Sequence, residues 1–433
     1  MRGDTAREVA ASIEEGIREG HLRPGVLLPT VRAAAALLEV SPVTVASAYR
    51  ILRQRGYVLT DGRRGTRVNR APALPMRWTQ PVPAGVVDLS EGNPDPDLLP
   101  SLERALAKID PSPSLYGEYA NLPSLIEVAR ARLESDGVDA THLGVVAGAA
   151  DGIERVLQAH LRPGDGVAIE DPVFTRVVDL VAALGLVGVP VALDDRGPIP
   201  ESLRSVLKSH VRALVLTPRA QNPTGAALDE ERADRLREVV DERPDVLIVE
   251  DDHAGPIAGT EALTLCTGRS RWAAVRSVSK FLGPDLRLAV VAGDELTMAR
   301  VQGRQRIGMG WVSHVLQGIV TELWTDPDVI RLFASAARTY AGRRAALIQA
   351  LASEGITSTG RSGLNVWVEV AQETEIARGL LQAGWAVAPG ERYRIASPPA
   401  IRVTAARLEP DDAARFTLDL ARLMRPGKDT YLA

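Results

Sequence analysis

Near the N-terminus, apolar positions recur with helical spacing. Val9, Ile13 and Ile17 fall at i, i+4 and i+8, one face of a helix that Pro24 and Gly25 close. Thr30 is placed to cap a short helix over residues 32–38. After a turn at Glu39 and Val40, Ser41 caps a second helix, with Pro42 at its first position, where the missing N–H costs nothing. Val45, Ala48, Tyr49 and Leu52 repeat at i, i+3, i+4 and i+7, leaving Thr44, Ser47 and Arg50 near the other side, and Gly56 ends the helix. The period then shortens. Residues 57–60 and 66–68 read as two short strands around Asp61-Gly62-Arg63-Arg64-Gly65, a hairpin with a basic tip.

Between residues 69 and 85 periodicity disappears, and Pro72, Pro75, Pro81 and Pro83 indicate a semi-rigid linker. From Asp88 onward, apolar runs at 166–169, 213–216 and 246–249 alternate with helical stretches. Short apolar strands with helices between them predict an α/β body, a mostly parallel sheet covered on both faces. From Trp311 a long helical pattern leads to apolar runs at 364–370 and 401–404, a smaller α/β unit. The expected layout is a head over 1–68, a linker over 69–85, a large domain over 86–310 and a small domain over 311–433.

Composition adds little to this picture, but charge changes it. The 433 residues are 45% hydrophobic and 24% charged, ordinary for a soluble globular protein. No run of 18 apolar residues appears, and Arg2, Asp4, Arg7 and Glu8 stand where a signal peptide would need an apolar stretch. The chain is therefore expected to be cytoplasmic, with no membrane partner. Its one cysteine, Cys266, excludes an intrachain disulfide and a multi-cysteine metal site, and no metal is expected. The net charge of −4 is uneven: residues 1–70 hold twelve Arg, no Lys and seven acidic residues, a net of +5, against −9 for the remainder. A basic head on an acidic body suggests that the head meets a polyanion.

Two helices at a tight turn, the second opening with short polar residues, would place that second helix in a DNA major groove, while the basic hairpin reaches adjacent phosphates. The stretches Leu28-Pro29-Thr30-Val31-Arg32, Val40-Ser41-Pro42-Val43-Thr44-Val45, Gly56-Tyr57 and Gly62-Arg63-Arg64-Gly65-Thr66 resemble, in order, the GntR family of winged helix-turn-helix regulators. The resemblance implies DNA contacts from Arg32, Ser41, Thr44 and the wing residues Arg63 and Arg64. Pro42 and Ala46 stand where that family often has Arg, which shifts base readout toward Thr44, Ser47 and Arg50.

The body carries candidate chemistry of another kind. Ser277-Val278-Ser279-Lys280 follows a predicted strand, and Arg287 lies seven residues on, past Gly283-Pro284. Leu247-Ile248-Val249-Glu250-Asp251-Asp252 is a buried-strand pattern ending in carboxylates, at the strand end where α/β sheets gather ligand groups. Thr217-Pro218-Arg219-Ala220-Gln221-Asn222-Pro223-Thr224-Gly225 is a loop whose Pro and Gly density fixes an unusual backbone. Singly, each is a turn or a strand cap. Together they supply what a pyridoxal 5'-phosphate (PLP) site requires: a lysine for the Schiff base, a carboxylate for the pyridine nitrogen and donors for the phosphate.

Together with Ser90-Glu91-Gly92-Asn93-Pro94, Tyr116-Gly117-Glu118-Tyr119, Ala147-Gly148-Ala149-Ala150-Asp151, Glu170-Asp171-Pro172-Val173-Phe174 and Leu286-Arg287-Leu288, these residues make the body resemble a fold-type I, aspartate aminotransferase-like PLP domain. The whole chain resembles the MocR group, which fuses such a domain to a GntR-type head. The resemblance implies that Lys280 holds PLP as a Schiff base, Asp251 pairs with the pyridinium nitrogen, Asn222 bonds the phenolic oxygen and Phe174 stacks on the ring. Ala149, Ala150, Ser277, Ser279 and Arg287 would form the phosphate cup, with Tyr116 among the cofactor contacts. Arg402 would clamp an effector carboxylate, with Arg394 close by as the competing position. His253 stands where the group has Tyr, Ala150-Asp151 replaces a Gln pair and puts an acid near a dianion, and Asn365 stands where many relatives have His. These departures speak against efficient transamination. The implied protein is a regulator that binds a DNA operator as a head-to-tail homodimer on two half-sites and senses PLP or a PLP adduct of an amine or amino acid. Two alternatives stay open: an active aminotransferase with an accessory head, and a PLP-independent regulator that keeps the body as a dimerisation scaffold.

Overall fold

The computed structural model describes residues 1–54, 57–60, 65–68, 82–110, 112 and 114–424. The chain divides into two compact units, one of residues 1–80 grouped with 161–167 and 178–188, the other holding the rest. In the first, Thr5 and Glu8 form a capping box that starts the helix Ala6–Arg18. Thr30 caps Val31–Leu38 by accepting from the Ala33 N–H, and Glu39 ends that helix at a left-handed φ of 53°. The chain bends by 115° into Pro42–Gln54, within the range of a helix-turn-helix. Strands Val58–Thr60 and Thr66–Val68 pair antiparallel with Val58 opposite Val68, and Leu27 bridges Arg67 beside them. Val9, Ile13, Val45, Ala48, Leu52 and Val58 are fully buried in one core. The Tyr49 hydroxyl, buried against that core, donates to Pro29 O at 2.8 Å.

The body is built on an eight-stranded sheet whose order is Leu143–Val146, Ala289–Gly293, Trp272–Ser277, Leu247–Asp252, Val211–Leu216, Gly166–Asp171, Val187–Asp194 and Gly197–Pro198. Trp272–Ser277, Leu247–Asp252 and Val211–Leu216 run parallel, as expected of apolar runs separated by helices. Ala289–Gly293 departs from that expectation and runs antiparallel to both its neighbours. The reason is length: residues 278–288 are too few for a crossover helix, so the chain reverses. That reversal carries Ser279, Lys280 and Arg287.

A second sheet orders Ser358–Thr359, Asn365–Glu369, Ala400–Thr404 and Ala388–Pro389, all antiparallel. Val87–Asp88 pairs in parallel with Trp385–Ala386, which ties the start of the body to its end. The helix Pro327–Ser353 spans 27 residues, and its buried Tyr340 hydroxyl accepts from Asp95 N at 3.1 Å. Among the described residues no single helix is long and apolar enough to cross a membrane. The wing tip with Arg63 and Arg64, and the linker over 69–81, lie outside the described residues.

Candidate functional site

Neighbouring strands deliver their C-terminal ends to one place: Ser277, Asp251, Thr217 and Glu170 stand at or within one residue of the ends of four adjacent strands. Alternation along Leu247–Asp252 turns Asp251 to one face of the sheet and Glu250 and Asp252 to the other. Asp252 sits in register with Arg276 and pairs with it at 2.9 Å, and with Arg219 at 2.7 Å. Despite burial, these two guanidiniums hold its carboxyl well below the usual range. Asp251 is also buried, yet its Oδ1 has no hydrogen-bond partner. Burial, reinforced by the charge of Asp252, pushes it up to about 7. Two adjacent aspartates are thus driven apart, and only Asp251 is left wanting a cation or N–H.

Lys280, on the reversal, donates from Nζ to Gly92 O. Burial, with the Arg402 guanidinium next in importance, brings its amine down to about 8 against the opposing pull of Glu91. At pH 7 about a tenth of such an amine is neutral, roughly two orders of magnitude more than for an ordinary lysine. His253 is driven down to about 4 by burial and then by Lys280, so its ring is neutral at pH 7.

Beside them the helix Ala149–His160 points its first N–H groups outward from Ala149 and Ala150. Gly148, at φ 95°, leaves the space there that Arg287 uses: a Cβ on it would lie 2.9 Å from Arg287 Nη2. Ser277 Oγ donates to Ser279 Oγ at 3.1 Å and accepts from Ser279 N at 3.2 Å. Asp151, the acid that raised concern beside a dianion, is turned away. Its carboxylate accepts from Ala147 N at 2.9 Å and from Arg155 Nε at 2.8 Å.

Arg402 is 3% exposed and has no carboxylate within salt-bridge distance among the described residues. Its Nη1 donates to Asn222 Oδ1 at 3.1 Å, its Nη2 to Ser90 O, and its guanidinium lies over the Tyr393 ring at 4.9 Å. Nε is buried without a partner. Arg394 is spoken for by Glu373 at 2.8 Å, so of the two candidates Arg402 is the one with N–H groups left for an anion. Asn365 spends its Oδ1 on Thr404 Oγ1 at 3.0 Å. Phe174 packs against Trp367, Ala388, Tyr393 and Ala400.

These residues fit PLP. A buried aspartate with a bare oxygen suits a pyridinium N–H, a softened amine suits an aldehyde, and a helix N-terminus with Ser277, Ser279 and Arg287 suits a phosphate. Tyr116 is the exception. It is 93% exposed, its ring packed edge-on against Trp311 at 5.5 Å, and the structure does not bring it to the pocket of its own chain. It stands on the stretch between the helices Glu103–Leu106 and Pro123–Ser135.

Sequence reasoning missed Glu170 and Gln221. Glu170 is fully buried, its Oε2 accepting from Gln221 Nε2 at 3.2 Å and its Oε1 unpartnered. Gln221 in turn braces the Asn222 loop by accepting from Thr224 N and Oγ1 at 3.0 and 2.6 Å. The only signal in the sequence was an acid ending an apolar run, which a strand cap also gives.

In the head, Arg32 and Arg50 are exposed, while Thr44 and Ser47 are partly so. Ser41 Oγ accepts from Thr44 N at 3.1 Å and lies 2.8 Å from Thr44 Oγ1, the N-cap expected from its position.

Residues 84–417 match the aminotransferase class I and II family, and residues 5–68 match the bacterial regulatory proteins of the gntR family. Over 421 residues the chain is 37% identical to the vitamin B6 salvage pathway transcriptional repressor PtsJ of Salmonella typhimurium, covering 96% of this chain and 98% of that protein. It is 29% identical over 262 residues to the pyridoxine biosynthesis transcriptional regulator PdxR of Corynebacterium glutamicum, covering 57% and 55% of the two chains. The solved structure of LysN, the α-aminoadipate aminotransferase of Thermus thermophilus, superposes with a TM-score of 0.70 at 23% identity, over 79% of this chain and 92% of that one. Pyrococcus horikoshii kynurenine aminotransferase gives 0.73 at 21% identity, over 79% and 91%. At these identities the two structures establish the fold. The chain therefore belongs to the aminotransferase class I and II family in its body and to the gntR family in its head, the MocR arrangement of bacterial regulators.

Proposed function

We propose that this chain is a transcription regulator whose head binds operator DNA and whose body takes PLP, alone or joined to an amine, as the signal. The observation that supports this most is a pocket with a bare, buried Asp251 carboxyl and a softened Lys280 amine, in a chain headed by a gntR-type reader. When bound, PLP supplies an aldehyde that condenses with amines and a ring that withdraws electrons. Lys280 would hold the aldehyde carbon, and Asp251 would keep a proton on the pyridine nitrogen. Asn222 and His253 would face the phenolic oxygen, and Phe174 would cover one ring face. Ser277, Ser279, Arg287 and the N–H groups of Ala149 and Ala150 would hold the phosphate. Arg402 would take the carboxylate of an amino-acid effector. In a head-to-tail homodimer, Tyr116 would complete the pocket of the partner subunit, and the paired heads would meet two half-sites.

A ligand moves such a system only by binding two states unequally, and a coupling of ~1–3 kcal/mol, about 5- to 150-fold in affinity, suffices. The test is a PLP titration followed by ultraviolet–visible absorbance, alongside anisotropy of a labelled operator with and without PLP. The covalent absorbance band should form, vanish in Lys280→Ala, and accompany a change in operator affinity. A band that forms with no effect on DNA, together with many turnovers of an amino donor and a 2-oxo acid, would establish the aminotransferase alternative instead.

A further inference from the structure

Helical geometry gives Pro42–Gln54 an outward face. At ~100° per residue, the buried Val45, Ala48, Tyr49 and Leu52 define its core side. Val43, Ser47 and Arg50 fall at i, i+4 and i+7 on the opposite side. Arg50 is exposed and Ser47 partly so, as a groove-facing stripe requires, and Val43 is 73% exposed. The first turn of a recognition helix is the part that meets base edges, and here an isopropyl group leads it.

Within that first turn, polar groups that could do the same work are engaged or missing. The Ser41 and Thr44 hydroxyls lie 2.8 Å apart and close the helix N-terminus together. Pro42 and Ala46 have no polar side-chain atom. Guanine edges are read by Arg or Lys and adenine edges by Asn or Gln, and the cap and first turn, residues 41–46, contain none of these, the first on the stripe being Arg50 two turns on. What the turn offers the major groove is methyl groups, and thymine is the base that presents a methyl there. The excess positive charge of the head supplies attraction to phosphates without choosing a sequence.

We propose that Val43 reads the 5-methyl group of a thymine in each operator half-site, so that base choice by the first turn of this helix rests on apolar contact, ahead of Ser47 and Arg50 further along the stripe. This rests on the reading of the head as a DNA binder and adds both the residue and the base. The full-length protein selects a duplex from a random pool, and each thymine of that duplex is then replaced in turn by deoxyuridine, which removes the methyl alone. One thymine per half-site should cost about four-fold in affinity when replaced, the worth of one buried methyl. Val43→Ala should weaken the parent duplex and reduce the penalty at that same thymine to near one, leaving the other thymines unchanged. Val43→Thr, which keeps the shape and one methyl, should lie between. A selected duplex on which every deoxyuridine is neutral, or a penalty that persists in Val43→Ala, overturns the proposal. So does a change of sedimentation in Val43→Ala with unchanged DNA affinity, which would make Val43 a protein contact. Failure to select any duplex would instead sink the DNA-binding reading beneath it.

Discussion

Replacing Glu170 by Gln should stabilise the body, and the gain should grow with pH. Glu170 is fully buried at the end of Gly166–Asp171, it accepts from Gln221 Nε2, and no cation pairs with it among the described residues. Burial pushes its carboxyl from 4.5 to about 8, with Asp251 adding to the shift. The folded state therefore keeps a proton that the unfolded chain gives up above 4.5. Because the native state binds more protons, stability falls as pH rises, from 4.5 until the folded group itself ionises near 8. At pH 7 the accumulated cost is up to roughly 3 kcal/mol, at 1.36 kcal/mol per unit. Gln keeps the acceptor for Gln221 and carries no charge, so it removes that cost while holding the Asn222 loop in place. Trp272, Trp324, Trp367 and Trp385 are all buried in the body, so tryptophan fluorescence in urea reports its unfolding. The difference between Glu170→Gln and the parent should be small at pH 5 and widen by about 1.4 kcal/mol per unit toward pH 8. A variant destabilised equally at both pH values would show that Glu170 is an ion in the native state, and the reasoning would fail.

Asp252→Asn should act in the opposite sense, because it leaves two guanidiniums, Arg219 and Arg276, buried with a neutral partner. A loss of roughly 3–5 kcal/mol is expected in the same urea assay, shrinking only as pH falls below 3.8, where the unfolded chain binds the proton that the paired carboxyl refuses. Gly148→Ala should weaken PLP binding by about tenfold or more, since φ is 95° and the new Cβ would meet Arg287. Its absorbance band at saturation should survive, and unchanged affinity would remove Arg287 from the cup. Arg32→Ala should lower the slope of operator affinity against salt by about one phosphate contact, read by anisotropy from 50 to 200 mM salt. An unaltered slope would place Arg32 off the DNA.

What the sequence reveals and what it conceals divides along the distance between partners. Thr30 and Ser41 cap their helices through hydrogen bonds that reach only three residues, so short-range pattern finds them. The order of lysine, carboxylate and phosphate donors was legible for a related reason, since each lies in or soon after a strand whose period can be read. Choices between neighbours were not. Alternation says that Asp251 and Asp252 face opposite sides but not which side is bare, and the answer lies in Arg219 and Arg276, 33 and 24 residues away. Arg402 was favoured by resemblance alone, and Arg394 drops out as its rival only once Glu373 is seen to occupy it from 21 residues upstream. Glu170 and Gln221 are 51 residues apart, joined only because the loop holding Gln221 follows Val211–Leu216, the strand beside Gly166–Asp171. Resemblance supplied Asp251 and Arg402 ahead of the geometry, yet it had nothing to say of Val43, which stands beside Pro42, a position where the head does depart from the family pattern. At such positions only the exposure of the folded side chain distinguishes a reader of bases from one more apolar residue in a helix.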